Sequence, residues 1–364
     1  MQPAFLAGCI FFSSENWYNI PDGAWPNGRV SALGAEGSGF KSRCPDFFMK
    51  QSALLPSFTF VHRPGPGYQI KGAGPERTVL SPVFETADFS SLVLSVDYTT
   101  ATRGWLLSEV QICQDGAWSE FFKLGFYSPK LNHSFDPQET DRAVLCVDEL
   151  CAKMPAQAYR FRLTLQGEME VSDVIVCVEP APKKASQADD LPLQMRQINI
   201  APLSQMQLAV SPEQQKRLCS PTSLCMALRA LGVAAAPLET AAAVYDMQAD
   251  IYGNWTFNTA YAARRGLFAC VTRFHLLAEL ADFVNEHSLV LATIAYKKGE
   301  LSGAAVEETP GHLVLICGWK EGKIYVADPA APTKETVMRC YDAKEFARAW
   351  LINKRGAAYL VRKK

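Results

Sequence analysis

The sequence predicts two domains, an all-β sandwich followed by an α+β domain. The chain has 364 residues, of which 48% are hydrophobic, which is enough for a core in each domain. Apolar residues recur with period two in the first half and at helical spacing in the second. Between the halves, residues 180–191 form a polar stretch rich in proline and alanine, typical of a linker. We therefore place the domains at residues 1–179 and 192–364.

Short alternating segments predict the strands of the N-terminal domain. Residues 92–98 carry apolar side chains at every second position, and residues 159–165 alternate in the same way. Asp115 and Gly116, between two apolar segments, predict the tight turn of a β-hairpin. Several strands at short spacing, without a longer repeat, favour a sandwich over a solenoid or propeller.

The N-terminal domain is also rich in aromatic residues. The set is Trp17, Trp25, Trp105, Trp118, Phe121, Phe122, Phe126 and Tyr127. Exposed rings of this kind stack on sugars, so one hypothesis is that the domain binds carbohydrate. The alternative, which the sequence favours, is that these rings fill the core of the sandwich.

In the C-terminal domain, the spacing of apolar residues predicts helices first and a sheet later. We expect helices over residues 221–231, 238–248, 257–265, 276–287 and 343–350. We expect strands over residues 289–296, 313–318, 323–327 and 357–361.

Cys219 stands at the start of an apolar helix, in a segment that reads RLCSPTSLCMAL. Pro221 suits the first turn of a helix, and Ser220 can cap it. The positive end of a helix lowers the pKa of a cysteine from about 8.5 towards roughly 3.5–7.5. We therefore expect Cys219 to form a thiolate, which is a nucleophile at neutral pH.

His312 and Asp328 lie on one predicted hairpin. His312 begins an apolar run, a second run over residues 323–327 follows a turn, and Asp328 ends that second strand. We expect Asp328 to lie beside His312, to accept a hydrogen bond from its Nδ1 and to orient the ring. Taken alone, each residue is more often structural. The joint arrangement, a cysteine followed by a histidine and an aspartate, favours a thiol hydrolase.

These segments resemble the C39-like cysteine peptidases, in particular the bacterial branch that is not fused to a transporter. The similarity includes the segments around Cys219, His312 and Asp328, together with residues 253–262, GNWTFNTAYA, and 300–304, ELSGA. The resemblance implies a papain-like fold, a peptide or protein substrate and no metal or organic cofactor. It implies that Cys219 is the nucleophile, that His312 acts as general base and then acid, and that Asp328 orients the ring.

The resemblance also implies an oxyanion hole, formed by the backbone N–H of Cys219 and a glutamine side chain upstream of it. Gln205 is the candidate, and Gln214 and Gln215, which are nearer to Cys219 in the sequence, stay open as alternatives. Losing such a donor typically lowers the rate by about 10²–10³.

By the same resemblance, we assign substrate binding to the residues Ser220, Asn254, Trp255 and Gly311. For Asn254 and Trp255, packing at the entry of a helix is the favoured alternative. Many relatives in the transporter-linked branch carry glycine where this chain has Ser220, a difference that bears on how closely a substrate backbone approaches.

Composition excludes several classes of function. The chain has 36 basic and 37 acidic residues, so its net charge of −1 gives no general attraction to nucleic acid or to anionic membranes. Its apolar runs are shorter than the roughly 20 residues that cross a bilayer, and its start lacks the charged residues of a secretion signal. We expect a soluble protein, either cytoplasmic or exported with its signal already removed.

Eleven cysteines without a CxxC pair indicate mostly buried thiols, although Cys146 and Cys151 are close enough in sequence to bridge.

The sequence therefore predicts a cysteine peptidase that hydrolyses a peptide or related amide bond through a thioester at Cys219. Two alternatives stay open. One is transglutaminase-like transfer of the acyl group to an amine, which nothing in the sequence separates from hydrolysis. The other is a non-catalytic protein that binds glycans or peptides on a papain-like scaffold, against which the retention of Cys219, His312 and Asp328 argues.

Overall fold

The computed structural model describes residues 55–72, 76–181 and 191–364. These residues form two antiparallel sheets, each with its own hydrophobic core. Trp17, Trp25 and most of the predicted linker lie outside these residues. Within them, no helix is both long and apolar enough to cross a lipid bilayer.

The N-terminal sheet is built around two very long strands that pair with each other. Its nine strands are β1 (Thr59–His62), β2 (Gln69–Lys71), β3 (Glu76–Leu80), β4 (Phe84–Gln114), β5 (Ala117–Trp118), β6 (Phe122–Tyr127), β7 (Gln138–Glu139), β8 (Ala143–Cys146) and β9 (Glu149–Pro180). Leu92 of β4 lies opposite both Leu150 and Val178 of β9, so the sheet curls back on itself. The all-β character of this region is confirmed, and the division into the two stacked layers of a sandwich stays a prediction.

The predicted hairpin turn is present between β4 and β5. Asp115 and Gly116 have φ angles of 49° and 78°, and the flanking residues Gln114 and Ala117 lie opposite each other. Two positive φ angles in a two-residue loop are the geometry that an Asp-Gly pair favours. Local turn chemistry therefore determined the register of this hairpin.

Those aromatic residues considered for carbohydrate binding that the structure describes have partners within the protein. Phe122 and Tyr127 are buried in the core. The half-buried rings of Trp105 and Phe126 stack on each other with centroids 5.5 Å apart. Arginine side chains lie over Trp118 and Phe121. These contacts give carbohydrate binding no support.

Asp97 of β4 has no exposed surface. Among the described residues, neither of its carboxyl oxygens has a hydrogen-bond partner of ordinary geometry. Burial raises the pKa of Asp97 to about 8, an effect that Lys364 opposes and that Asp173 increases. Asp173 lies directly opposite Asp97 on β9. Asp97 is therefore largely protonated at neutral pH.

Asp97→Asn is expected to make the free energy of unfolding less dependent on pH. The carboxyl group ionises near pH 4 in the unfolded chain and near pH 8 in the folded one. Its contribution to stability is therefore present at low pH and lost as the pH rises from about 4 to about 8. Since asparagine cannot ionise, the variant should exceed the wild type in free energy of unfolding at pH 8.5 by roughly 2–5 kcal/mol.

Urea denaturation at pH 5 and pH 8.5 measures this difference. Asp115→Asn is the matched control, because Asp115 is exposed and asparagine also adopts its left-handed backbone conformation. Equal pH dependence of Asp97→Asn and the wild type would show that Asp97 is ionised in the folded protein.

The C-terminal sheet has seven strands, which are β10 (Arg196–Gln197), β11 (Leu267–Arg273), β12 (Ser288–Tyr296), β13 (Thr309–Lys320), β14 (Lys323–Ala327), β15 (Met338–Asp342) and β16 (Ala357–Lys363). Their order in the sheet is β11-β16-β12-β13-β14-β15, with β10 paired to β13. The helices are α1 (Pro212–Gln215), α2 (Cys219–Ala230), α3 (Pro237–Val244), α4 (Trp255–Arg264), α5 (Leu280–Phe283) and α6 (Ala343–Ala347), which continues as a π-helical turn over Arg348–Ile352.

The predicted strands of this sheet are confirmed, but some of the helix predictions are wrong. The helix expected over residues 276–287 is reduced to a 3₁₀ turn and the single turn α5, because the chain becomes extended at Val284 and turns at Asn285 into β12. The expectation that helices precede the sheet is also wrong. Strand β11, which lies before α5, was not predicted because all of its residues are buried, which removes the alternation that marks a half-buried strand.

Polar contacts join the two sheets. The Oγ1 atoms of Thr59 and Thr272 are 2.7 Å apart, and Ser95 Oγ accepts a hydrogen bond of 2.9 Å from the backbone of Val271. Glu149, at the start of β9, pairs with two arginines of the C-terminal region, at 2.6 Å from Arg273 and 2.7 Å from Arg355. The N-terminal sheet is therefore fixed directly to β11 and to the segment before β16.

Candidate active site

Cys219 is the first residue of α2 and is 7% exposed. The helix continues through an unbroken run of buried residues as far as Leu228, which fixes its position in the fold. The prediction that Ser220 caps the helix is wrong, because the helix begins one residue before it. The N-cap is Leu218, which makes no side-chain capping bond. The thiol nevertheless lies in the first turn, where the helix dipole favours a thiolate.

His312 and Asp328 form a buried hydrogen-bonded pair. His312 lies on β13 and Asp328 directly follows β14, and His312 Nε2 is 2.7 Å from Asp328 Oδ1. The prediction that Asp328 would contact Nδ1 is wrong. The carboxylate lies beyond the last paired residue of β14 and reaches the ring nitrogen farther from the histidine backbone. Nδ1 is therefore the nitrogen that remains to face a nucleophile.

Three donors surround the carboxylate of Asp328, which has no exposed surface. Besides His312, the backbone N–H of Ala330 donates to Oδ1 at 3.0 Å and the Tyr341 hydroxyl donates to Oδ2 at 2.8 Å. Burial opposes ionisation, but the charge of His312 and these hydrogen bonds outweigh it, so the pKa of Asp328 lies below its usual range. Burial and the neighbouring carboxylate raise the pKa of Tyr341, which stays a donor. Sequence reasoning missed Tyr341, since β15 was not predicted.

The helix that carries Cys219 packs on the strand that carries His312. Ser223, one turn after Cys219, donates a hydrogen bond of 3.0 Å to the backbone oxygen of Leu313, the residue after His312. Residues four apart on a helix lie on the same face, about one turn from each other. The thiol and the imidazole therefore belong to neighbouring ends of two packed elements.

Gln205 lies between the segment after Asp328 and the segment before α2. Its backbone N–H donates to Pro329 O at 2.8 Å, and its side-chain Nε2 donates to Gln215 O at 2.9 Å. The side chain is 2% exposed. The amides of Gln214 and Gln215 donate elsewhere, to Tyr252 and to Leu208. Of the three glutamines, Gln205 fits a site-lining role best.

The residues assigned to substrate binding are mostly engaged in packing contacts. Ser220 donates to Asn258 Oδ1 at 2.9 Å. Asn254 is 1% exposed, accepts from the backbone of Phe257 at 3.2 Å and so caps α4. Trp255 is 8% exposed, and Gly311 is also buried. These contacts support packing roles for Ser220 and Asn254.

The remaining cysteines are free thiols where the structure describes them. Cys146 and Cys151, which were close enough in sequence to bridge, are both unbridged, and Cys225 is buried in α2 as expected. Cys340 is an exposed free thiol. No group of three potential metal ligands occurs among the described residues.

Two segments of the chain match known protein families. Residues 197–358 match the Peptidase C39-like family, and residues 76–175 match the Peptidase C39 N-terminal domain. The segment 197–358 belongs to the C39-like peptidase family. Cys219, His312 and Asp328 all fall in the first matched segment, and the predicted linker falls between the two segments. No curated protein matches the chain.

Three solved structures are each similar to about half of this chain. A double-glycine-motif protease from the AMS/PCAT transporter, solved with its leader peptide, is 16% identical, with a TM-score of 0.32 over 48% of this chain and 100% of its own. The peptidase domain of Streptococcus ComA is 13% identical, with a TM-score of 0.32 over 46% and 99%. A C39-like peptidase from Bacillus anthracis is 14% identical, with a TM-score of 0.35 over 47% and 98%.

Proposed function

We propose that this protein is a cysteine peptidase with a papain-like catalytic domain, and that it hydrolyses a peptide or related amide bond through a thioester at Cys219. The observation that carries the proposal is the buried pair between His312 Nε2 and Asp328 Oδ1, 2.7 Å long, on the strand against which the cysteine helix packs. This pair leaves Nδ1 of His312 for the thiol. Together the residues supply a nucleophile, a base and a group that orients the base.

The first chemical step is acyl transfer to sulfur. His312 Nδ1 takes the proton of the Cys219 thiol, and the thiolate attacks the carbonyl carbon of the substrate. The C–N bond then breaks, and the imidazolium gives its proton to the leaving amine. The acyl group is left as a thioester on Cys219.

Two donors stabilise the oxyanion that forms on the carbonyl oxygen during this step. One is the backbone N–H of Cys219, the first residue of α2. The other is Gln205 Nε2, which carries two hydrogens and uses one of them in its bond to Gln215 O. Its second hydrogen is the one we assign to the oxyanion.

Hydrolysis of the thioester reuses the same groups. His312 Nδ1 takes a proton from water, the resulting hydroxide attacks the thioester carbon, and the C–S bond breaks to release a carboxylic acid and the thiolate. Throughout both steps Asp328 stays ionised, because the donors around it lower its pKa. Its negative charge stabilises the imidazolium, and its bond to Nε2 keeps Nδ1 directed towards the sulfur.

Alkylation with iodoacetamide at pH 6, mapped by peptide mass spectrometry, tests this proposal. A thiol with a pKa of about 8.5 is less than about 1% ionised at this pH, so an activated thiolate should react faster by roughly 10². We expect rapid labelling of Cys219 in the wild type and slow labelling in His312→Ala. Cys340, which is free and exposed, is the internal control. Labelling of Cys219 no faster than that of Cys340 would refute the activated nucleophile.

A further inference from the structure

Helix α4 is packed into the core of the N-terminal sheet, although it belongs to the matched C39-like segment. The Phe257 ring meets the Tyr127 ring edge to face, with centroids 5.0 Å apart. The Tyr127 hydroxyl lies 3.1 Å from Thr256 Oγ1. At Gly125 a Cβ atom would come within 3.1 Å of the Phe257 ring, so the sheet approaches α4 as closely as glycine allows. One face of α4 is therefore held by the sheet.

The turn between β8 and β9 holds the start of the same helix. In this turn the Asp148 carboxylate accepts the backbone N–H of Trp255, the first residue of α4. Asp148 therefore satisfies one of the N–H groups that a helix leaves unpaired at its start. Burial raises the pKa of Asp148 to about 7, with Glu149 and Asp246 adding to the rise and the backbone of Trp255 and Thr256 lowering it. The fold keeps this half-buried carboxyl group in place although its partial burial disfavours the charged form.

The backbone conformation of Val147, the residue before Asp148, is also unfavourable. Val147 has a φ of 59°, a conformation that a β-branched residue rarely adopts. Such strain persists only where the surrounding structure imposes it, and it is typical of sites with a function. Here the strained turn is the part of the sheet that presents Asp148 to α4.

The opposite side of α4 holds the residue next to the nucleophile. Asn258 Oδ1 accepts a hydrogen bond of 2.9 Å from Ser220 Oγ, and Tyr359 OH lies 3.0 Å from the same Oγ. The amide of Asn258 is fixed in this orientation because its Nδ2 donates to Tyr252 O at 2.9 Å and to Asn254 O at 2.7 Å. Displacement of α4 would therefore move Ser220, and with it the first turn of α2.

We propose that Asp148 of the N-terminal sheet is a positioning residue for Cys219: it holds the start of α4, and α4 holds the first turn of α2 through Asn258 and Ser220. The expected effect of Asp148 on catalysis rests on the proposed peptidase function. Both the sulfur and the Cys219 N–H lie in that turn, so a small displacement misplaces the nucleophile and an oxyanion donor together. Such a displacement lowers kcat more than it raises KM.

Hydrogen exchange of the full chain, followed by peptide mass spectrometry, tests the positioning itself. We expect Asp148→Ala to increase exchange both at residues 254–258 and at residues 219–223. Asp148→Asn should stay near the wild type, because its amide oxygen accepts the same N–H. Ser95→Ala is the matched control, since it removes another bond between the sheets, to Val271, and should change neither segment. Increased exchange at residues 254–258 alone would overturn the proposal.

The rate of Cys219 alkylation separates this proposal from the proposed function. We expect Asp148→Ala to label Cys219 about tenfold more slowly than the wild type, with rescue by Asp148→Asn and no change in Ser95→Ala. Rapid labelling of both the wild type and Asp148→Ala would refute the positioning role and leave the peptidase proposal standing. Slow labelling of the wild type would refute the peptidase proposal, and hydrogen exchange would then decide the positioning role alone.

Discussion

Replacing Cys219 with alanine is expected to abolish peptide hydrolysis, lowering kcat by about 10⁵–10⁶, because the side chain that forms the thioester is gone. The oxyanion donors and the cleft remain, so a small residual rate above that of water persists. The measurement is steady-state turnover of a fluorogenic peptide found by screening the wild type. Mass spectrometry of the intact protein should show an acylated wild type and an unmodified variant.

Cys225→Ala is the matched control for this experiment. Cys225 lies on the same helix, six residues after Cys219, and is fully buried, so the substitution removes a similar thiol without touching the site. Its kcat should stay within about threefold of the wild type, as expected for a small change away from reacting groups. Turnover by Cys219→Ala at more than a few per cent of the wild-type rate would contradict a thioester at this position.

The acceptor of the acyl group can be identified with the same peptide. If water is the acceptor, adding a primary amine leaves the carboxylic acid as the main product, and the C–N bond breaks at an unchanged rate. A transglutaminase-like enzyme would instead form the amide of the added amine. Product analysis by mass spectrometry separates the two reactions, both of which start from the same thioester at Cys219.

Much of the candidate site could be predicted from the sequence because its residues lie at element boundaries with strong local signals. Cys219 opens an apolar helix, and Asp328 directly follows a short strand. The turn between β13 and β14, at Glu321 and Gly322, has positive φ angles of 49° and 73°, as an acidic residue followed by glycine suggests. Local chemistry therefore places these residues without reference to the rest of the chain.

Other parts of the site depend on contacts between segments distant in sequence, which no local pattern records. Whether Asp328 meets Nδ1 or Nε2 of His312 depends on where the turn after β14 lies, and the prediction was wrong. Ser220 was expected to cap its own helix, but its hydroxyl donates to Asn258, 38 residues away. Asp148 contacts α4 across 107 residues. Such pairings form only when segments distant in sequence pack together in the fold.

Asp328→Asn is expected to lower kcat by about 10²–10⁴, with little change in KM. Asparagine has nearly the same shape as aspartate and keeps an oxygen for Nε2 of His312, but it has no charge. The imidazolium that forms beside the thiolate therefore loses the carboxylate that stabilises it. Burial opposes ionisation of Asp328, but the charge of His312 and the donors around the carboxylate lower its pKa, so the wild type has this charge throughout the neutral range.

Tyr341→Phe separates the charge of Asp328 from the orientation of its carboxylate. This variant removes the donor at Oδ2, 2.8 Å away, and leaves the charge and the bond to His312 in place. We expect it to lower kcat by about tenfold or less, since a single hydrogen bond contributes about 1 kcal/mol. A kcat for Asp328→Asn within tenfold of the wild type would show that the acceptor oxygen alone is sufficient. The ring would then be oriented by Asp328 and the imidazolium stabilised mainly by the thiolate itself.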